Sequence, residues 1–156
     1  MTRRIPYARL ALATMLTAAV TSTLAGCGGR AKAGPGGGGA VDAWPTGRTF
    51  TSTAVTERGQ DRPLAPGTQI TFRFPREGEL SVQAGCNYLG AKADVSAGRI
   101  TVSEFASTAM ACSNDRMQQD KFVVDLLSGK PTWRLDGTEL TITGTEAEIR
   151  LTERSS

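Results

Sequence analysis

The feature that most limits what this chain can fold into is a period of two. Beyond Trp44, apolar residues recur at every second position in short runs, with polar residues between them. Ile70, Phe72 and Phe74 form one run; Leu80, Val82 and Ala84 a second; Ala91, Ala93 and Val95 a third. Ile100 and Val102, Trp133 and Leu135, Leu140 and Ile142, and Ile149 and Leu151 form four more. Successive side chains of a strand point to opposite faces, so each run predicts a strand with one buried and one wet face. A less regular stretch from Trp44 to about Thr56 predicts an eighth. Turn residues separate the runs: Pro75–Gly78, Ser96–Gly98 and the hairpin pair Asp136-Gly137. The expected fold is mainly β, a small antiparallel β-barrel-like domain of about seven or eight strands.

One segment breaks the rhythm. Residues 114–128 carry Phe122, Val123, Leu126 and Leu127 on one helical face and Gln118, Lys121, Asp125 and Ser128 on another. Ser113 or Asn114 can cap this helix, Asp115 suits its positive end, and Gly129 and Pro131 stop it. Arg116–Asp120 and Lys121–Asp125 are spaced as i,i+4 pairs. The helix is placed to lie across one mouth of a barrel.

The first 26 residues read differently. A basic start, MTRRIPYAR, leads into Leu10–Leu24, an apolar stretch of 15 residues. That is shorter than the roughly 20 apolar residues of a membrane-spanning helix and reads as an export signal. Leu24-Ala25-Gly26-Cys27 resembles the lipobox of bacterial prolipoproteins. The resemblance implies diacylglyceryl on the Cys27 sulfur and cleavage before it, with a mature protein anchored at the extracytoplasmic face of the cell membrane. The plain alternative is secretory cleavage near Ala25. Two acyl chains suffice for stable anchoring, where one gives only marginal binding. Residues 27–43 then form the lipidated N-terminus and a tether; seven of the sixteen residues 28–43 are Gly. A flexible coil of that length spans roughly 20–25 Å. No P-loop Lys-Ser/Thr closes this Gly run, so it is not a phosphate cradle. The folded domain occupies residues 44–156.

Charge and residue inventory exclude several functions. The chain has a net charge of +3, but Arg3, Arg4 and Arg9 lie in the leader, leaving 15 basic against 15 acidic residues. A neutral mature chain lacks the electrostatic footprint of a nucleic-acid binder. There is no His, no G-x-S-x-G elbow, and the acidic residues Glu104, Asp115, Asp120 and Asp125 are scattered. Helical spacing makes the last three wet or capping positions. No catalytic residue, metal ligand or cofactor is expected.

Gly85-Cys86-Asn87, Thr108-x-Met110-Ala111-Cys112, the helix with Met117 and Phe122, and the alternating strands after it resemble the META domain of the HslJ-like bacterial heat-shock proteins. The resemblance runs from about Trp44 to Glu153. It departs at Asn87-Tyr88-Leu89-Gly90, one residue shorter than the usual Asn-x-aromatic-Ser-Gly run. It implies a small β-barrel-like fold with a helix and an extracytoplasmic protein, often a lipoprotein, loosely linked to stress or drug tolerance. It implies no catalytic residue.

Cys86 and Cys112 admit several readings. Zinc normally takes four Cys/His ligands, or three and a water, and only two thiols stand here. A redox pair usually reads Cys-x-x-Cys near a βαβ unit, and neither is present. A structural disulfide suits an exported chain, and lipid on Cys27 leaves an even pair. Two reduced, buried thiols are the remaining reading. Gly85 and Asn87 suit a turn where a strand ends, and Thr108 and Met110 suit packing and local hydrogen bonding.

The expectation is a monomeric, non-catalytic, lipid-anchored domain. It would contact the membrane through Cys27 and bind an unknown protein or small-molecule partner. The alternative is a small-ligand carrier using the barrel interior, for which Ala84, Ala91 and Ala93 leave some room; a thiol-dependent enzyme is a weaker third.

Overall fold

The computed structural model describes residues 43–155; the leader, the tether and Cys27 lie outside the described residues. Nine strands form one antiparallel sheet. They are β1 (Thr49–Glu57), β2 (Gln60–Asp61), β3 (Thr71–Arg73), β4 (Glu79–Gln83), β5 (Tyr88–Asp94), β6 (Thr101–Ser107), β7 (Thr132–Asp136), β8 (Glu139–Thr143) and β9 (Ala147–Glu153). The helix α1 spans Asn114–Ser128. The sheet order is β6-β5-β4-β3-β1-β9-β8-β7, with β2 paired to β1.

The sheet curls into a half-barrel. Its two edge strands approach where Arg99, just before β6, bridges Thr132 at the start of β7. The Ile100 N–H donates to Pro131 O at 2.9 Å beside that bridge. Alternation turns every second residue of these strands inside. Phe50, Ile70, Phe72, Phe74, Ile100, Leu127, Leu140, Ile142, Ile149 and Leu151 are all 0% exposed. Removing each such side chain from water is worth about 1.5–3 kcal/mol, so the filled interior is the main source of stability. Edge-to-face contacts order its aromatic part: Phe74 meets Trp44 at 5.3 Å and Phe50 at 5.8 Å between ring centroids.

The irregular first strand has a local cause. A bulge between Ser52 and Ala54 against β9 shifts the inward phase, so Phe50, Ser52 and Val55 face the interior. Ser52 is buried because its hydroxyl accepts the Ile70 N–H at 3.0 Å. The strand starts at Thr49, later than Trp44, which packs on Phe74 outside the ladder.

Helix α1 lies over the loops at one end of the sheet. Gly85, in the β4–β5 loop, sits so close to it that an added Cβ would stand 2.8 Å from the Arg116 carbonyl oxygen. Phe122, Val123, Leu126 and Leu127 are buried, while Gln118, Lys121, Asp125 and Ser128 are exposed, as the stripe pattern predicts. Ser113 occupies the N-cap position without a capping bond into the first turn. Among the described residues no helix is long and apolar enough to cross a membrane.

Candidate functional site

The cysteines meet at the corner between the β4–β5 loop and the segment leading into α1. Cys86 and Cys112 are joined at 2.13 Å between sulfurs, with Cα atoms 5.9 Å apart. The corner is held by more than the disulfide. Asp120 Oδ1 accepts the N–H groups of Gly85 (2.8 Å) and Cys86 (3.0 Å), and Oδ2 accepts the Asn87 N–H (2.8 Å) and side-chain amide (3.0 Å). Asn87 Oδ1 in turn accepts the Met110 N–H at 2.8 Å and the Thr108 hydroxyl at 2.9 Å. One carboxylate and one amide thus wire the Gly-Cys-Asn run to the Thr-x-Met-Ala-Cys run.

The neighbouring helix residue does the same for two other segments. Gln119 Oε1 accepts the Ala65 N–H at 2.6 Å, and its Nε2 donates to Ala84 O at 2.7 Å and Thr68 Oγ1 at 3.0 Å. Gln119 is 2% exposed and Asp120 7%. The reading of Asp120 as a wet or capping position is therefore corrected: its side chain is buried against backbone donors more than 30 residues away. The Arg116–Asp120 pair does not form, because Arg116 reaches the Pro66 carbonyl instead. Lys121–Asp125 does form, at 2.6 Å. Asp115 is exposed, and the Ser113 hydroxyl holds its carboxyl below the usual range.

Of the several depressions on the surface, two differ clearly in the charges that line them. The larger, about 830 Å³, lies between α1 and the turns after β1 and β8, with Phe122 and Leu126 in its lining. Its charges are matched in pairs: Arg58 with Glu146 (3.1 Å), Arg62 with Glu57 (3.2 Å) and Lys121 with Asp125. Arg62 also stacks over the Phe122 ring at 4.4 Å.

The second, about 480 Å³, lies on the wet face of the sheet. Thr49, Arg73 and Ser81 stand side by side across β1, β3 and β4, and Thr71, Gln83 and Tyr88 across β3, β4 and β5. Arg48 and the C-terminal segment Glu153–Ser155 also line it. Arg48 grips Glu153 through two hydrogen bonds, at 2.9 and 2.6 Å, and holds its carboxyl below the usual range. The sequence alone does not mark Arg73, Tyr88 or Arg154 as binding residues; the wet phase of Arg73 and Tyr88 across paired strands is the one signal for those two, and Arg154, just past β9, has none. No group of three or more His, Cys, Asp or Glu residues that could hold a metal occurs among the described residues.

A disulfide-stapled antiparallel half-barrel with one helix over its loops defines a small β domain whose interior is filled and whose clefts are on the outside. The chain belongs to the META domain family, matched over residues 45–156. No curated protein matches it in sequence. A protein from Burkholderia xenovorans with an NMR structure is similar at 14% identity and a TM-score of 0.60, over 71% of this chain and 84% of that one. Another protein with an NMR structure is similar at 17% identity and a TM-score of 0.54, over 67% and 87%. At such identities the likeness concerns the fold.

Proposed function

We propose that this protein is a lipid-anchored, extracytoplasmic, non-catalytic META-domain protein that binds a partner through its outer surface and supports the envelope under stress. The observation that carries this reading is the bond between Cys86 and Cys112. Disulfides persist in oxidising compartments, which fits the export leader. Pairing these two leaves Cys27, at the end of the Leu24–Cys27 lipobox, as the third cysteine and the natural acceptor of lipid. Binding is assigned to the exterior because the side chains of the core occupy the interior, which counts against a carrier holding its ligand inside the barrel. The acidic residues named as candidate acid/base groups are either wet or consumed by backbone hydrogen bonds, as Asp120 is.

The test is an intact mass of the membrane-extracted protein with and without reduction and alkylation. A mass with diacylglyceryl on Cys27 and no alkylation before reduction is expected. A mass lacking the lipid sinks the anchor, and two alkylated thiols before reduction sink the argument from compartment.

A further inference from the structure

Arginines on this domain are almost all occupied, which makes the exceptions informative. Ten lie among the described residues. Arg48, Arg58, Arg62, Arg76, Arg134 and Arg150 each pair with a carboxylate. Arg99 and Arg116 donate to the carbonyls of Lys130 and Pro66. Arg73 and Arg154 have neither kind of side-chain partner among the described residues, and both line the same 480 Å³ cleft on the wet face of the sheet.

The rest of the lining is of one chemical kind. Thr49, Thr71 and Ser81 offer hydroxyls and Gln83 an amide, on strands fixed in register by the ladder. Tyr88, paired with Gln83 across β4 and β5, is 53% exposed although it is one of the larger apolar side chains of the domain. Among the described residues that line the cleft the one side-chain carboxylate, Glu153, is neutralised by Arg48 at 2.6 Å. Two guanidinium groups with no such partner among the described residues therefore add positive charge over a floor of short neutral hydrogen-bonding groups with an aromatic ring at one side.

We propose that this cleft binds an acidic carbohydrate, a sugar unit that carries a carboxylate or phosphate. Guanidinium groups form charge-assisted, often bidentate bonds to such oxyanions. Side-chain hydroxyls and an amide can donate to and accept from sugar hydroxyls, and a half-exposed Tyr ring offers an apolar face to a pyranose while its hydroxyl stays wet. The 480 Å³ volume falls within the range of about 300–1,000 Å³ found for small-ligand sites. The larger cleft beside α1 lacks this character, since each of its cations already has an anion. The inference rests on the reading of the domain as a binding module but not on the lipid anchor.

The test is calorimetric titration of the purified full-length chain with a glucuronic-acid oligomer, a neutral glucose oligomer of equal length, and inorganic phosphate. The acidic oligomer binds, the neutral one binds far more weakly, and added salt weakens the interaction. Arg73→Gln and Arg154→Gln each weaken binding about tenfold, the scale of one charge-assisted hydrogen bond, and Tyr88→Ala weakens the oligomer but not phosphate. All three positions are exposed, and thermal melts like those of the wild type check that the variants fold. Equal binding of neutral and acidic oligomers, binding of phosphate as tight as that of the acidic oligomer, no binding of the acidic oligomer, or unchanged affinity in both arginine variants overturns the proposal. Intact mass separately decides the anchor, so the two readings fail independently.

Discussion

Asp120 and Asn87 lie 33 residues apart and meet through two hydrogen bonds, 2.8 Å from the Asn87 N–H and 3.0 Å from its side-chain amide. With the Gly85 and Cys86 N–H groups, the carboxylate satisfies four donors in a buried corner. Removing it strands all four. Asp120→Ala should destabilise the domain by about 2–4 kcal/mol. Asp120→Asn should recover little, because an NH2 group would face N–H donors. Urea denaturation measures both; a Asp120→Asn variant as stable as the wild type would contradict the account.

The Cys86–Cys112 bond closes a loop that contains β5 and β6. In the chain-entropy picture, a loop with a sequence separation of 26 contributes about 3–4 kcal/mol. Reduction, or the double change Cys86→Ser and Cys112→Ser, should lower the denaturant midpoint accordingly. The Asp120 network remains in place, so the reduced domain should still fold cooperatively. A single unfolding transition after reduction, followed by tryptophan fluorescence, is the expected outcome.

Gly85 and Gly144 make a contrasting pair. A Cβ on Gly85 would meet the Arg116 carbonyl at 2.8 Å and Arg116 Cα at 3.2 Å, both backbone atoms of a packed helix. A Cβ on Gly144 would meet the tip of the Leu126 side chain at 2.5 Å, which can rotate away. Gly85→Ala should therefore cost about 1–3 kcal/mol, and Gly144→Ala clearly less. Melting temperatures of the two variants, compared side by side, settle the order.

Glu153 sets an acid-side dependence. Hydrogen bonds from Arg48 lower its carboxyl in the folded state. A group depressed on folding stabilises above its unfolded pKa and loses that contribution as pH falls through the folded one. The loss should therefore begin near about pH 5, where an unfolded glutamate starts to protonate, and grow as the pH falls through the folded group's lower range. Glu153→Gln should leave a shallower fall in melting temperature over that window and little change at neutral pH in its slope. Arg48→Gln should shallow the same limb, since it removes the cause of the shift.

Much of the fold is written in the alternation. Phe72, Leu80, Val82, Leu135, Leu140, Ile142 and Ile149 all face inward as their period demands, and α1 begins and ends where its stripe does. The site is less legible because it depends on pairings between distant segments. Gln119 stands three and four positions before Phe122 and Val123, and Asp120 three before Val123 and seven before Leu127, so both share the inward face. Their polarity hides that, since what makes their burial tolerable is backbone supplied from residues 65 and 84–87. The strand β6 was harder still. Ile100, read as a strand residue, lies just before it, and the strand runs on to Ser107 with almost no buried side chain to announce it. Cys27 and the lipobox were legible as a motif, but they fall outside the described residues.

The single bridge between Arg99 and Thr132 makes the half-barrel a cylinder with an unfinished seam. Past that point the edges part, and β6 is left with an unpaired margin of backbone along a strand exposed on nearly every residue. Such a margin invites edge-to-edge pairing between neighbouring copies. The chain blunts it by putting one residue too many into β6: between its pairings with Gly90 and Lys92 the strand bulges, Glu104 turns to φ 51°, and its carboxylate is tied back to Lys92 at 3.1 Å. A crooked, charged margin offers no straight template, so the domain can leave its seam open without becoming adhesive.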